Sequence, residues 1–335
     1  MPGDYDHGSI EGVSGVTIRP ARPPDFEELA GLFARAELGG PAMAPELAFV
    51  QGRLGGQAFV ADAGDELVGA SAAVVFGANG WIGGVAVLPE RRRAGLGSAL
   101  TAVAVQWIAE AGAGTASLYA TAMGRPVYER LGFVADGRWL RMTVPDAARP
   151  VGPPRGRAES AGRDAPRGRA ESAGRDARMA EPDRPGAAGP GERGGSGTAV
   201  RVRVATAGDL DAVVALDRLV TGEDRGRLLH AVWGSGCLVA EDTEGRVVGF
   251  HAPKPTGGPG ATIAHDLPAG AALQAAWQRQ DAGARVVLPE ANAAGRRVLE
   301  AFGYQAGVVA TLMRRGPAPT HHPEQVFGGF NLFWG

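Results

Sequence analysis

The sequence predicts an α/β protein (α+β in the sense of a mixed sheet) made of two similar domains joined by a disordered linker. Three observations carry this. Across residues 15–145 the apolar pattern alternates between the period of a strand and that of a helix, in the order β-α-α-β-β-β-α-β-α-β. Residues 198–335 echo that segment at nearly constant offsets. Between them, residues 146–197 offer only Val151 and Met179 as large aliphatic side chains and cannot build a core. A length of 335 residues suits two such cores. Residues 1–14 are expected to be a disordered N-terminus.

The first domain reads in order. Val16 to Arg19 is a short strand, and Pro23-Pro24-Asp25 opens a helix whose face is Phe26, Leu29, Leu32, Phe33 and Ala36. Pro45 to Leu54 suits a second helix. Gln57 to Asp62 and Leu67 to Gly77 flank the turn Ala63-Gly64-Asp65-Glu66, a hairpin signal, and Trp81 to Leu88 is the next strand. Gly95 to Gly112 is helical, with Leu96, Leu100, Val103, Ala104, Trp107 and Ile108 as its apolar stripe. Ser117 to Ala122 is a strand, Arg125 to Leu131 a short helix, and Phe133 to Val144 a closing strand.

In the linker, Arg155 to Ala165 (RGRAESAGRDA) recurs letter for letter at Arg167 to Ala177. Two copies without an apolar face cannot stack as a solenoid, and the recurring Gly opposes a helix. Charge assigns no nucleic-acid role. Residues 1–145 carry 11 Arg against 15 acids, the linker 10 against 8, and residues 198–335 carry 13 of each sign. The lone Cys237 excludes a disulfide framework and reads as a buried strand residue. His321-His322-Pro323-Glu324 is too compact to chelate one ion, so no metal is expected. Apolar runs fall short of a membrane span and the acidic start lacks a signal peptide, so the expectation is a cytoplasmic protein without a membrane partner.

Chemistry concentrates where the strand ending Val85-Ala86-Val87 meets the longest helix, through Leu88-Pro89-Glu90-Arg91-Arg92-Arg93-Ala94-Gly95-Leu96-Gly97-Ser98. Gly95 and Gly97 permit a turn whose successive N–H groups converge at the positive end of a helix, with Arg92 and Arg93 beside it. That is an anion cradle. It has neither the GK[ST] ending of a P-loop nor the dinucleotide GxGxxG.

Arg92-Arg93-Ala94-Gly95-Leu96-Gly97 matches [RQ]-x-x-G-x-[GA], and Val127-Tyr128-Glu129-Arg130-Leu131-Gly132-Phe133 looks like the "LYexLGF" segment that follows it in the GNAT acetyltransferases. The chain resembles that family over residues 15–145. The resemblance implies acetyl-CoA as co-substrate, its pyrophosphate on the backbone of Arg93, Ala94, Gly95, Leu96, Gly97 and Ser98, and its pantetheine along Val85, Ala86 and Val87. The acceptor would be a small-molecule or peptide amine, and a homodimer is compatible with the family. Tyr128 holds the family's general-acid position, where a phenol can reprotonate a departing thiolate. By residue type alone it reads rather as a packed core aromatic at helical spacing. Thr121 stands where the family often has an Asn for the pantetheine arm.

The expected strand Trp81 to Val87 carries no carboxylate or His, so the general base is open, with Glu37, Glu46 and Asp62 as candidates. The second half repeats Arg19-x-Ala21 with Asp25 as Arg203-x-Ala205 with Asp209. It repeats Gly124 to Phe133 as Gly295 to Tyr304. It lacks the cradle, reading Thr262 to Gly270 (TIAHDLPAG) there, and has Leu299 for Tyr128 and Asn292 for Thr121. It is therefore expected to be a degenerate GNAT-like domain, and the N-terminal domain the catalytic one. The aromatic end, Val326 to Gly335, suggests a last strand for the second sheet. An acyl-CoA-binding regulatory module without turnover is the alternative.

Overall fold

The structure is a computed structural model that describes residues 10–11, 15–39, 42–145, 199–254, 256, 260–281 and 283–334. The linker expected at 146–197 lies outside these residues. Residues 10 and 11, expected to be unstructured, form a short strand instead, β1 (Ile10–Glu11), antiparallel to β2 (Thr17–Pro20).

The first half then follows the expected order: α1 (Asp25–Arg35), α2 (Met43–Phe49), β3 (Gln57–Asp62), β4 (Leu67–Phe76), β5 (Asn79–Val87), α3 (Leu96–Glu110), β6 (Thr115–Ala120), α4 (Arg125–Arg130) and β7 (Val134–Thr143). The second half contains β8 (Arg201–Val204), α5 (Leu210–Thr221), α6 (Gly226–Val232), β9 (Leu238–Glu241), β10 (Val247–Ala252) and β11 (Ala261–Ala264). It ends with α7 (Leu267–Gln278), β12 (Val286–Pro289), α8 (Ala293–Ala301), β13 (Gln305–Arg315) and β14 (Val326–Gly328).

The internal repeat is visible as physical chemistry. Arg19 donates to both carboxylate oxygens of Asp25, at 2.6 and 2.9 Å, and to Asp62 at 2.9 Å. Arg203 does the same to Asp209, at 2.8 and 2.7 Å, and to Glu241 at 2.8 Å. In each half the guanidinium fork ties the first strand to the first helix and the second strand.

The sheet connections depart from two self-contained domains. Strand order in the larger sheet is β1-β2-β3-β4-β5-β6-β13-β7-β12. The last long strand of the second half, β13, lies between β6 and β7 of the first. In return β7 lies between β13 and β12. The two exchanged strands are equivalent, each following its half's Gly-Arg-x-Val-x-Glu helix, and they pair antiparallel from Gln305↔Thr143 to Arg314↔Val134. A second, five-stranded antiparallel sheet runs β14-β11-β10-β9-β8. Leu140, Met142 and Val144 thus belong to the core of the second half, whereas Phe333 packs on Gly83 and Trp334 beside Phe49 in the first. The aromatic terminus supplies the expected last strand, and the aromatic side chains after it are interior: Phe330 and Trp334 are fully buried.

Helix α3 covers one face of β4 and β5, with Leu100 against Gly69 and Ile108 against Gly80. On the other face a side chain at Gly83 would collide with the Phe333 ring, so only glycine fits there.

Candidate functional site

Strands β5 and β6 are the parallel pair of the larger sheet, and their pairing runs only from Asn79↔Thr115 to Ile82↔Leu118. Beyond that point β5 continues to Val87 and β6 to Ala120, so the strands part. A bulge between Gly83 and Ala86, with Gly84 at φ +62°, starts the divergence. Val85 and Val87 are half-buried and Ala86 is buried. The edge of β5 facing β6 therefore carries backbone groups without a strand partner over these residues.

Directly after it comes the expected cradle. Arg93 is at φ +63° and Gly95 at φ +88°, so the chain turns twice through the left-handed region before α3. For Arg93 this is strained backbone held by its surroundings. Helix α3 has no side-chain cap, and no described protein group accepts a hydrogen bond from the N–H groups of Arg93, Ala94, Gly95, Leu96, Gly97 or Ser98. With no partner in the fold, these donors suit an anion at the positive helix end. Arg92 behaves differently from the expectation: its Nε donates to the Val87 carbonyl at 3.1 Å and its Nη2 to the Ala36 carbonyl at 2.9 Å. It braces the loop against β5 and the end of α1. Arg93 is exposed.

The equivalent place in the second half is closed by its own residues. Helix α7 is capped by Asp266, which accepts from the Ala269 N–H at 2.9 Å, with Pro268 in the first turn. A carboxylate already sits where an anion would bind.

Tyr128 lies on α4, which packs beside α3. Its ring is edge-on to Phe133 at 6.1 Å and rests against Gly124, where an added Cβ would lie 3.0 Å from Cε2. No described residue hydrogen-bonds its hydroxyl. Burial pushes the phenol up to about 12, so it is fully protonated at neutral pH. Thr121 is exposed, and its Oγ1 accepts from the Gly124 N–H at 3.2 Å, as Asn292 accepts from Gly295 at 2.7 Å. Both act as turn caps.

The three carboxylates considered as bases are engaged or remote. Asp62 is held by Arg19. Glu46 is buried and paired with Lys254, the lone lysine, and with Thr256. Glu37 is exposed at a left-handed turn after α1.

What sequence reasoning missed lies on the face of the sheet opposite α3. There a cavity of about 490 Å³ opens between the halves, walled by Trp81, Tyr119, Trp139, Leu312 and Glu223. Glu223 follows the C-cap of α5, where Gly222 turns at φ +69° with no room for a side chain under the Thr320 carbonyl. Its Oε1 accepts from Asn79 Nδ2 at 2.5 Å and Trp81 Nε1 at 2.6 Å, and Ser117 donates to Asn79 at 2.9 Å. No motif marks Glu223, and it belongs to the half without the cradle. Among the described residues no group of three or more His, Cys, Asp or Glu could hold a metal ion, and no helix is long and apolar enough to cross a membrane.

These features fit what the chain is similar to. Residues 55–135 match the model of the acetyltransferase (GNAT) domain. Among solved structures, a candidate acetyltransferase from Pyrococcus horikoshii is 19% identical, with TM-score 0.69 over 98% of this chain and 100% of that one. A GCN5-related N-acetyltransferase from Sphaerobacter thermophilus is 17% identical, with TM-score 0.58 over 92% and 98%. A tandem GNAT protein from the clavulanic acid biosynthesis pathway is 14% identical, with TM-score 0.55 over 91% and 99%. No curated protein matches the sequence. The fold is thus shared with these proteins, one of them a tandem GNAT protein, along nearly their whole length, and residues 55–135 match the GNAT acetyltransferase domain.

Proposed function

We propose that the chain transfers an acetyl group from acetyl-CoA to an amine, with the cofactor bound by the first half alone. The observation that carries this is the contrast between two equivalent helix starts. The one before α3 leaves a run of N–H donors without protein partners, and the one before α7 is filled by Asp266. The donors of Arg93 to Ser98 would hold the pyrophosphate, and the open edge of β5 at Val85 to Val87 would pair with the pantetheine amides. A backbone N–H at the bulge would polarise the thioester carbonyl as its oxygen gains charge. Tyr128 would protonate the sulfur as it leaves. Its high pKa keeps the proton in place until the thiolate forms, at the expense of acid strength.

The test combines calorimetry with acetyl-CoA and turnover on an amine panel. Gly97→Trp should preserve the fold, since an added Cβ meets only Val87 Cγ2, at 3.9 Å. Its bulk should cut acetyl-CoA affinity by about 100-fold through loss of the backbone cradle. Tyr128→Phe should leave that affinity unchanged and lower kcat by about 100-fold, a loss typical for one acid. Wild-type affinity in Gly97→Trp would refute the cradle. Undiminished kcat in Tyr128→Phe would leave Tyr128 a packing residue. Tight acetyl-CoA binding without turnover on any amine would favour the regulatory module.

A further inference from the structure

We infer that the cavity between the halves is the acceptor site, that it takes an amine set in a compact apolar body, and that Glu223 receives the ammonium proton. The chemical role rests on the transferase reading above; the binding role stands on the cavity itself.

The cavity is apolar over most of its wall. Trp81 stacks on Tyr119 at 5.0 Å, and Trp139 meets Tyr119 edge-on at 5.3 Å, while Leu312, Val220 and Ile263 contribute aliphatic surface. An aromatic wall favours a cation or an apolar body over a strongly hydrated polycation. Into this wall are set the carboxylate of Glu223 and the guanidinium of Arg225, each 4% exposed, with Asp136, Arg138 and Glu290 also in the lining. Both hydrogen bonds from Asn79 and Trp81 go to Oε1 of Glu223, which fixes the orientation of the carboxylate and leaves Oε2 for a ligand. A second polar atom also lacks a partner: the Tyr119 hydroxyl is buried with no hydrogen bond among the described residues. A buried donor of this kind costs free energy unless a ligand or water meets it.

The location suits the reaction. Trp81 lies one residue before the last β5–β6 pair, Ile82↔Leu118, and Tyr119 one residue after it, so the cavity abuts the point where the strands part. An amine bound here would lie on the face of the sheet opposite α3, with the Phe333 ring over Gly83 between it and Val85. The nitrogen must shed two protons. The first passes to Glu223, directly or through a cavity water, and on to solvent. The neutral amine then attacks, the C–N bond forms, and the C–S bond breaks. The second proton ends on the departing sulfur through Tyr128.

The electrostatics agree. Burial pushes the Glu223 carboxyl up to about 7; the Arg225 charge and the hydrogen bonds from Asn79 and Trp81 oppose the rise. A group poised there holds and releases a proton at neutral pH. The other charged or titratable groups facing it are Asp217 and Arg225 beside α5, Tyr119 on β6, and His321. Asp136, Arg138 and Glu290 line the rim.

The experiment uses the full chain, with 2-phenylethylamine as probe and 2-phenylethanol as its uncharged counterpart. Glu223→Gln is the first variant, because the amide oxygen still accepts from Asn79 and Trp81. Leu312→Trp, which fills the cavity from β13, is the second. Calorimetry should show the amine binding at least tenfold more tightly than the alcohol, and more tightly at pH 8 than at pH 6. Both variants should lose at least tenfold in amine affinity with acetyl-CoA affinity unchanged. In turnover, kcat/KM for the amine should rise with pH through about 7 in the wild type. Glu223→Gln should be about 100-fold slower, as for loss of one general base, and lose that inflection.

Amine binding no tighter than alcohol binding, or unchanged in both variants, overturns the inference. So does an inflection that survives in Glu223→Gln, which retains His321. Failure of every protein to bind acetyl-CoA would instead overturn the transferase reading, and the amine affinities would still decide the cavity.

Discussion

Residues 1–145 produced alone are expected to give an unfolded or aggregating chain. In the intact protein β13 fills the gap between β6 and β7, and without it both strands present unpaired edges. The same truncation removes Phe333 and Trp334 from their places on Gly83 and beside Phe49. Emptying one large aromatic site costs about 3–5 kcal/mol. Two such losses, about 6–10 kcal/mol, fall within the roughly 5–15 kcal/mol that separates a folded domain from its unfolded state. Amide dispersion and a thermal melt measure this directly. A dispersed spectrum with a cooperative transition from 1–145 would refute the exchange of strands. Residues 199–335 added as a separate chain should restore both, because the exchanged strands need no covalent link.

Replacing Arg225 by Ala is expected to cost about 3–5 kcal/mol, the typical result of stranding one partner of a buried ion pair. Arg225 is 4% and Asp217 1% exposed, joined by hydrogen bonds of 2.5 and 3.0 Å. The guanidinium also lies 5.6 Å above the Phe330 ring. Its removal leaves the Asp217 carboxylate in an apolar interior and withdraws the positive charge that restrains Glu223. Urea denaturation of the wild type and the variant should show the loss directly. The double variant Arg225→Met with Asp217→Leu should recover most of the stability, since an apolar pair needs no counter-charge. A cost below about 1 kcal/mol for Arg225→Ala would mean that the pair is solvated.

Legibility in the sequence followed the range of the interactions. Elements of the first half were readable because their apolar periods are local, and the predicted helix from Gly95 to Gly112 is observed at Leu96–Glu110. The turn before α3 was readable because Gly95 and Gly97 lie within a few residues of each other at the start of a helical pattern. For Arg92 the sequence shows the charge and not the two carbonyls it meets, at Val87 and Ala36. The exchange of β7 and β13 left no local trace: each strand satisfies the same alternating pattern whichever neighbour it pairs with. Glu223 was invisible for a related reason. Its partners, Asn79 and Trp81, are more than 140 positions away, and the acid was sought in the half that carries the cradle.

The strand exchange also sets a schedule for the growing chain. At about 5–20 residues per second, the ribosome needs roughly 10–40 s after residue 145 to reach the aromatic terminus. Throughout that interval the first half carries a sheet that cannot close. Its β6 and β7 edges stand open to any other nascent copy, whose own β13 would fit the same gap. Synthesis therefore poses a choice between closing on itself and trading strands with a neighbour, and crowding on one messenger favours the neighbour.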